Sequence, residues 1–299
     1  MIAKDIFPVY AQYHEDLILA ALLRDVDKGF YVDVGANHEE YHSVTKYFYD
    51  RGWSGINIEP IPRLIAEISK KRPRDINLGV GISAKAGTLE FREYPEHDGL
   101  STLSDASKAD PTKLDLPHQD YKIKTDTLAH ILASQKVTHI DFLKIDVEGY
   151  EDEVLRSNDW QVYRPTVICI EANHRVSDWA TYLEKHKYTR VIFDGLNEYY
   201  LDNKSLDKFD KFAENAALLA HSAVRSHVLA AWQADSDHIR SLEDMTDRQD
   251  ALIKGLQHKL EVAESATLID KPFLVRLKLA VKGLTVNYLR YRSAKQRTK

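Results

Sequence analysis

Two sets of residues in this chain have the types and spacing for chemistry at strand ends. The first is Asp33-Val34-Gly35-Ala36-Asn37 together with Glu59. A glycine directly after a short apolar run allows a tight turn and close approach of backbone to a ligand. A carboxylate at the end of a second run, Glu59-Pro60, can accept two hydrogen bonds from a vicinal diol. The second set is Asp146 and Glu148 with Glu171, Asn173 and His174. A carboxylate or His174 can take a proton from a hydroxyl. Asp146, Glu171 and Asn173 also offer hard oxygen ligands of the kind that suit Mg²⁺ or Mn²⁺, and such a cation lowers the pKa of a bound hydroxyl. Blander readings compete. Asp146 and Glu148 can cap the helix that begins near Gly149, and an acid after a strand can be incidental. The joint occurrence of Asp33, Gly35 and Glu59, and of Asp146 with Glu171, favours a site.

These residues need elements to position them. Phe30 to Val34 reads as a buried strand, Val44, Tyr47 and Phe48 as one face of a helix ending near Gly52, and Ser54 to Glu59 as a second strand. Ile76 to Ile82 reads as strand three, with Gly79 and Gly81 allowing close approach of a ligand. Thr88 to Arg92 and Tyr121 to Thr125 are short extended pieces. Between them, Tyr94 to His118 has no period, and a loop that long is usually functional; Gly99-Leu100-Ser101-Thr102 is its candidate contact point. His139 to Ile145 and Thr166 to Glu171 are strands four and five, Val176 to His186 a helix, and Thr189 to Phe193 strand six. The turn Gly195-Leu196-Asn197 reverses the chain into Glu198 to Leu201. This alternation predicts a doubly wound α/β sheet, rich in parallel pairs, with one antiparallel strand. Ligands in such sheets sit outside the carboxyl ends of the strands, where both residue sets fall. Tyr10 to Leu23 reads as an amphipathic helix. Gln12, Glu15 and Asp16 at its start can reach the amino-acid end of a ligand, or serve as first-turn acids favoured by the helix dipole; the two readings weigh equally.

The turn decides between cofactors. A dinucleotide fingerprint needs G-x-G-x-x-G, whereas Gly35-Ala36-Asn37-His38 has no second or third glycine. That favours S-adenosylmethionine, which needs no pyrophosphate cradle, over a nicotinamide cofactor.

Composition bounds the rest. The 299 residues, 43% hydrophobic, suffice for one large domain plus an appendage. The one cysteine, Cys169, excludes an internal disulfide and suits a reducing compartment. No secretory leader or membrane span is expected, so the reading places the protein in the cytoplasm. Residues 271–299 hold nine Lys/Arg and no acid, leaving 32 basic against 46 acidic groups in residues 1–270, a balance of −14. A nucleic-acid enzyme more often carries its positive charge around the cleft, so no nucleic-acid partner is expected. From Val228 to Ala263 eleven positions fall at alternating steps of four and three, eight of them apolar and Asp235, Thr246 and Gln249 polar, a heptad seam that predicts a coiled coil and a homo-oligomer. Phe273 to Tyr291 forms an apolar stripe among basic residues, which predicts a helix that lies on a membrane surface or docks on a protein. The domains expected are 1–206, catalytic; 207–270, helical and coiled-coil; and 271–299, a basic amphipathic helix.

Six stretches, YAQYHEDLIL, FYVDVGANHEEYHSVTKYFYDRGWSGINIEPIP, NLGVGISAKAGTLEF, GLST, IDFLKIDVEGYEDEVLRS and RPTVICIEAN, together resemble the FkbM-type family of S-adenosylmethionine-dependent O-methyltransferases. The resemblance runs from about Tyr10 to Asn173. It implies a class I methyltransferase (Rossmann-like) fold, cofactor contacts at Asp33, Gly35 and Glu59, and an active-site role for Asp146. Family members commonly methylate hydroxyls of sugars or polyketide-derived products. Where relatives often have proline after the histidine, this chain has Glu39. The combined expectation is an O-methyltransferase acting on a sugar hydroxyl of a surface glycan or lipid-linked polysaccharide, with the basic tail at the inner face of the membrane. Its cofactor contacts would be Glu15, Asp33, Gly35, Asn37, Glu59, Gly81, Ser101 and Asp146. Asp146, His174 and Glu148 would serve catalysis. The alternatives are a natural-product hydroxyl as acceptor, and a non-catalytic scaffold assembled by its coiled coil.

Overall fold

A computed structural model of the chain describes residues 7–103, 116–172 and 178–225. In chain order its elements are β1 (Phe7–Val9), α1 (Glu15–Leu22), β2 (Phe30–Val34), α2 (Lys46–Asp50), β3 (Ser54–Ile58), α3 (Pro62–Lys71), β4 (Ile76–Leu78), β5 (Gly81–Ile82), β6 (Gly87–Glu93), β7 (Thr102–Leu103), β8 (Gln119–Asp126), α4 (Leu128–Ser134), β9 (Phe142–Ile145), α5 (Glu151–Arg156), β10 (Val167–Glu171), α6 (Trp179–Lys185), β11 (Tyr188–Phe193), β12 (Asn197–Asp202), α7 (Asp207–Asp210), α8 (Phe212–Ser222) and β13 (Ala223–Arg225). They form two compact units, one of Tyr10–Leu19 and Leu23–Lys208, the other including 7–9, 20–22 and 209–225.

The larger unit is built on a seven-stranded sheet of order β11-β12-β10-β9-β2-β3-β4. Its neighbours from β10 to β4 are parallel, and β12 is reversed against both β10 and β11. The doubly wound arrangement with one antiparallel strand is therefore present. Strands covered on both faces read as near-continuous apolar runs, and every residue of β9 and β10 is buried. Val32, Ile56, Leu143 and Ile168 pack with Leu128 and Leu132 of α4, Val154 of α5, and Trp179 and Leu183 of α6 in one core.

One row breaks the apolar pattern. The register aligns Lys144 of β9 with Asp33 of β2, Asp33 with Asn57 of β3, and Asn57 with Asn77 of β4. Residues paired in register point to the same face, so a belt of polar side chains crosses the middle of the sheet. Asn57 donates to Asp75 Oδ2 at 2.9 Å and to Asn77 Oδ1 at 2.8 Å, and the Tyr31 hydroxyl donates to Asp75 at 2.5 Å. Buried polar groups need such partners.

Two expectations change. Ile76 to Ile82 is not one strand: β4 ends at Leu78, the chain leaves the sheet at Gly79-Val80, and β5 joins a second sheet. That sheet, of order β5-β8-β6-β7, collects the extended pieces around Thr88 and Tyr121, which the sequence reading left unpaired. It packs Phe91, Leu103 and Ile123 against Ile61 and Leu64. Their half-buried, short segments gave little pattern to read.

In the smaller unit β1 pairs in parallel with β13, Phe7 opposite Ala223, and Asn215 of α8 donates to the Ala21 carbonyl at 2.9 Å. The heptad seam from Val228 and the basic stripe lie outside the described residues. Among the described residues, no helix is long and apolar enough to cross a membrane.

Candidate functional site

The site begins where β2 ends. Gly35 and Ala36 both donate their N–H groups to the Ile58 carbonyl, at 3.0 and 3.1 Å. This folds the chain tightly over the end of β3. Gly35 has φ +80°, and a Cβ built on it would lie 1.8 Å from the Asp146 carbonyl oxygen. The turn thus presses directly on the end of β9. Gly35→Ala is expected to cost more than about 2 kcal/mol, because overpacking alone costs about 1–3 kcal/mol and the left-handed backbone adds to it. Urea unfolding checks this; a loss below about 0.5 kcal/mol would contradict the packing described.

Asn37 follows with φ +53°, a conformation that asparagine tolerates. Its N–H donates to Glu59 Oε2 at 2.9 Å, and the Ile61 N–H donates to Glu59 Oε1 at 2.9 Å. Glu59 therefore staples the β2 turn to the start of α3. Burial pushes its carboxyl up to about 7, although both amides and the charge of Lys144 pull the other way.

Behind the turn lies a charge network. Asp33 is 1% exposed and accepts from the Thr45 hydroxyl at 2.9 Å. Thr45 in turn accepts from Arg72 at 2.6 Å, and the same guanidinium holds Ser43 at 2.6 Å and the Glu39 carbonyl at 3.0 Å. Arg72 thereby fixes the loop between Asn37 and α2. On the other side, Lys144 Nζ donates to the Gly35 carbonyl at 2.7 Å and lies 3.4 Å from Asp33 Oδ1 and 3.3 Å from Asp146 Oδ2. Burial alone would push the Lys144 ammonium down; the Asp146 and Asp33 carboxylates outweigh it, and the ammonium's pKa is raised.

The segment after β9 is held from both sides. The Thr102 hydroxyl is shared between the carbonyls of Val147 and Glu148, at 3.1 and 2.9 Å. The buried Glu151 carboxylate accepts from Val147 N at 3.2 Å and Gly149 N at 3.0 Å. Between these anchors Glu148 adopts φ +56°. A non-glycine residue persists there only when its surroundings dictate it, commonly at functional sites. Capping of α5 by Asp146 or Glu148 is not seen: its N-cap is Tyr150, without a side-chain cap bond.

Carboxylate oxygens of Asp146, Glu148 and Glu171 all lie within 4.8 Å of one another. Burial, then the negative charges of Asp146 and Glu148, push the Glu171 carboxyl well above the usual carboxylate range. Like charges this close do not all ionise.

An open cleft of about 640 Å³, part of it solvent, runs along these strand ends. Gly35, Asn37, Glu59, Gly81, Ser101, Asp146 and Glu148 line it, so the structure brings together seven of the sequence-derived site residues. Its apolar wall includes Ile61, Val80, Phe91, Leu103 and Ile123, and its polar lining has four carboxylates and no lysine or arginine among the described residues. Ser101 Oγ accepts from Tyr94 N at 3.0 Å, which fixes the loop carrying it. Asp33 does not line the cleft; it sits beneath it. Glu15 is not among the lining residues either. It is buried, accepts from Tyr13 N at 2.7 Å and from Asn197 Nδ2 at 3.3 Å, and burial pushes its carboxyl up to about 7. Asn173 and His174 lie outside the described residues. Sequence reasoning missed Lys144, Arg72 and Glu151 as parts of the site.

Fold and site together define a doubly wound α/β protein with a glycine turn and acids at its strand ends. The Methyltransferase FkbM domain matches residues 33–190, just over half of the chain, and the chain belongs to this methyltransferase family. Among solved structures, a fibrillarin pre-rRNA processing protein of Methanococcus jannaschii is similar at 15% identity and a TM-score of 0.30, over 59% of this chain and 67% of that one. A comparison with curated proteins finds no match.

Proposed function

We propose that the cleft binds S-adenosylmethionine and that the protein transfers its methyl group to a hydroxyl oxygen, the acceptor being a sugar of a surface glycan or lipid-linked polysaccharide. One observation carries the cofactor reading: Glu59 sits beside the Gly35 turn in a cleft lined by four carboxylates and, among the described residues, no cationic side chain. A dinucleotide would bring a pyrophosphate into a cleft where no lining cation among the described residues meets it and where the nearby Arg63 and Lys144 are engaged by Asp98 and Asp146. S-adenosylmethionine brings a positive charge and no phosphate.

The residues fit the group. A carboxylate has about four lone-pair sites, and amides occupy only two of those on Glu59, leaving room for a ribose diol. The wall of Ile61, Val80, Phe91, Leu103 and Ile123 suits an adenine. When bound, the cofactor supplies an electrophilic methyl group on its sulfonium. The protein's part is mainly to hold the acceptor oxygen in line with it, which alone can account for a large share of the rate. Asp146 and Glu148, at the polar end of the cleft, are the candidates to take the hydroxyl proton. Glu171, whose carboxyl is pushed up by burial and by the charges of Asp146 and Glu148, is less suited to that step. His174 remains a candidate base on sequence grounds.

The hydroxyl and the glycan rest on the family resemblance. Incubation of the full-length protein with methyl-labelled cofactor and extracted lipid-linked glycans tests them: label in the glycan fraction is expected. A protein that binds the cofactor and labels only another small hydroxyl compound would overturn the glycan acceptor.

The 4.8 Å clustering of Asp146, Glu148 and Glu171 favours a second reading of the acidic end, in which Mg²⁺ or Mn²⁺ binds there and orients the acceptor. Turnover would then vanish on chelation and return with either ion. Full turnover in excess chelator would leave proton transfer to a carboxylate or to His174.

A further inference from the structure

Part of the cleft wall is a short loop whose ends are tied together. Tyr94 N donates to Ser101 Oγ at 3.0 Å. Within the loop, His97 N donates to the Tyr94 carbonyl at 2.8 Å, Leu100 N to the His97 carbonyl at 2.8 Å, and Ser101 N to the Asp98 carbonyl at 3.0 Å. Both ends are anchored: Tyr94 and Thr102 are buried, and the Thr102 hydroxyl is held by the carbonyls of Val147 and Glu148. A compact loop closed on itself in this way is an Ω-type element, frequently functional. Because these bonds are internal, it can swing about its ends as one body. Asp98, Gly99 and Ser101 line the cleft. A Cβ built on Gly99 would lie 3.6 Å from Asn37 Nδ2. The tip of the loop therefore meets the β2 turn at Asn37, the residue whose N–H is held by Glu59.

The tip is tied to the body of the protein through charge. Arg63 of α3 donates to Asp98 Oδ1 and, at 3.2 Å, to Glu93 Oε1. Glu93 is buried at the end of β6 and accepts from the Tyr121 hydroxyl at 2.8 Å. The base of the loop thus steadies Arg63, and Arg63 holds the tip. The Arg63 side chain is 48% exposed and that of Asp98 24%. Ion pairs this close to water are weak and screened by salt, which suits a contact that breaks and re-forms at each turnover. We infer that Arg63 is a positioning residue whose pair with Asp98 latches the loop Tyr94–Ser101 over the cleft, and that the loop swings open for S-adenosylmethionine to enter and for the demethylated product to leave. This inference rests on the cofactor reading above. The latch joins protein groups to each other, so it opposes opening in the free and the bound protein alike. Weakening it raises the open fraction of both. Entry and exit then speed up by the same factor, and their ratio, the affinity, stays where it was.

Surface plasmon resonance on the full-length protein decides it, by resolving the association and dissociation rate constants of S-adenosylmethionine. Arg63→Gln and Asp98→Asn should each raise both constants about two- to fivefold, the factor an exposed ion pair can carry, and leave Kd within about twofold of its starting value. Arg63→Lys keeps the charge and should stay close to the unchanged protein. Added salt should raise both rates more in the unchanged protein than in Arg63→Gln or Asp98→Asn, because only there is a pair left to screen. Rates that do not move in the folded variants overturn the latch and leave the cofactor reading intact. Faster dissociation alone, with affinity falling in step, does the same, since it would make Arg63 or Asp98 a ligand contact. Absence of S-adenosylmethionine binding overturns both.

Discussion

Lys144→Met is expected to destabilise the protein by about 3–5 kcal/mol, the range seen when one partner of a buried ion pair is removed. Three contacts go at once: the bond to the Gly35 carbonyl and the approaches to Asp33 and Asp146. Asp33 carries most of the cost. Its side chain is 1% exposed, and Lys144 is the cation beside Oδ1. The Asp146 side chain is 39% exposed, so water can take over part of its solvation. Methionine matches the length of the lysine stem, so packing changes little and the charge effect dominates. Urea unfolding of the two proteins measures the difference; a loss below about 1 kcal/mol would mean that the ammonium is not the charge partner the geometry describes.

Glu59→Ala is expected to weaken S-adenosylmethionine binding by about 10- to 150-fold. Two backbone amides, those of Asn37 and Ile61, lose their acceptor. The unsatisfied amides lower the stability of free and bound protein alike, so the loss of affinity comes from the diol contact, a charged hydrogen bond of about 1.5–3 kcal/mol. The same residue sets a pH dependence. Its carboxyl moves from 4.5 to about 7 on folding, chiefly through burial. Between those values the folded state holds the extra proton. The stability that this proton linkage supplies is complete below about 4.5 and is lost as the pH rises through about 7. Cofactor affinity runs the other way, because the ionised form is the better acceptor for amides and diol together. It should rise about tenfold between pH 6 and pH 8. Glu59→Gln, which cannot ionise, should flatten the profile. A flat profile in the unchanged protein would remove Glu59 from the diol site.

How much of this could be read in the sequence depended on the kind of signal. The βαβ unit from Phe30 to Glu59 was legible because a buried parallel strand leaves an unbroken apolar run, and a glycine turn follows it at once. The reversed strand was legible from Gly195-Leu196-Asn197. The second sheet was not: β5 and β7 are two residues each, and β6 and β8 are half-exposed. Lys144 was visible as a lone lysine inside FLKI, opposite a lone aspartate in FYVDV. What links them is register, which is a property of the paired strands rather than of either strand alone. Arg72 has no local signal, since it acts on Ser43 and Thr45 from the far end of α3. Glu15 carried two sequence readings, ligand contact and first-turn acid; the structure shows it in the first turn of α1, and only the fold reveals Asn197 beside it.

The measurement that tests the central claim most directly is a crystal structure of the full-length protein grown with S-adenosylhomocysteine. The expected result is density along the strand ends. The ribose hydroxyls should lie within hydrogen-bond distance of Glu59, the adenine between Ile61, Val80, Phe91 and Leu103, and the amino-acid end beyond Gly35. Density in another part of the molecule, or a cleft that takes up a nicotinamide dinucleotide and refuses this ligand, would contradict the account.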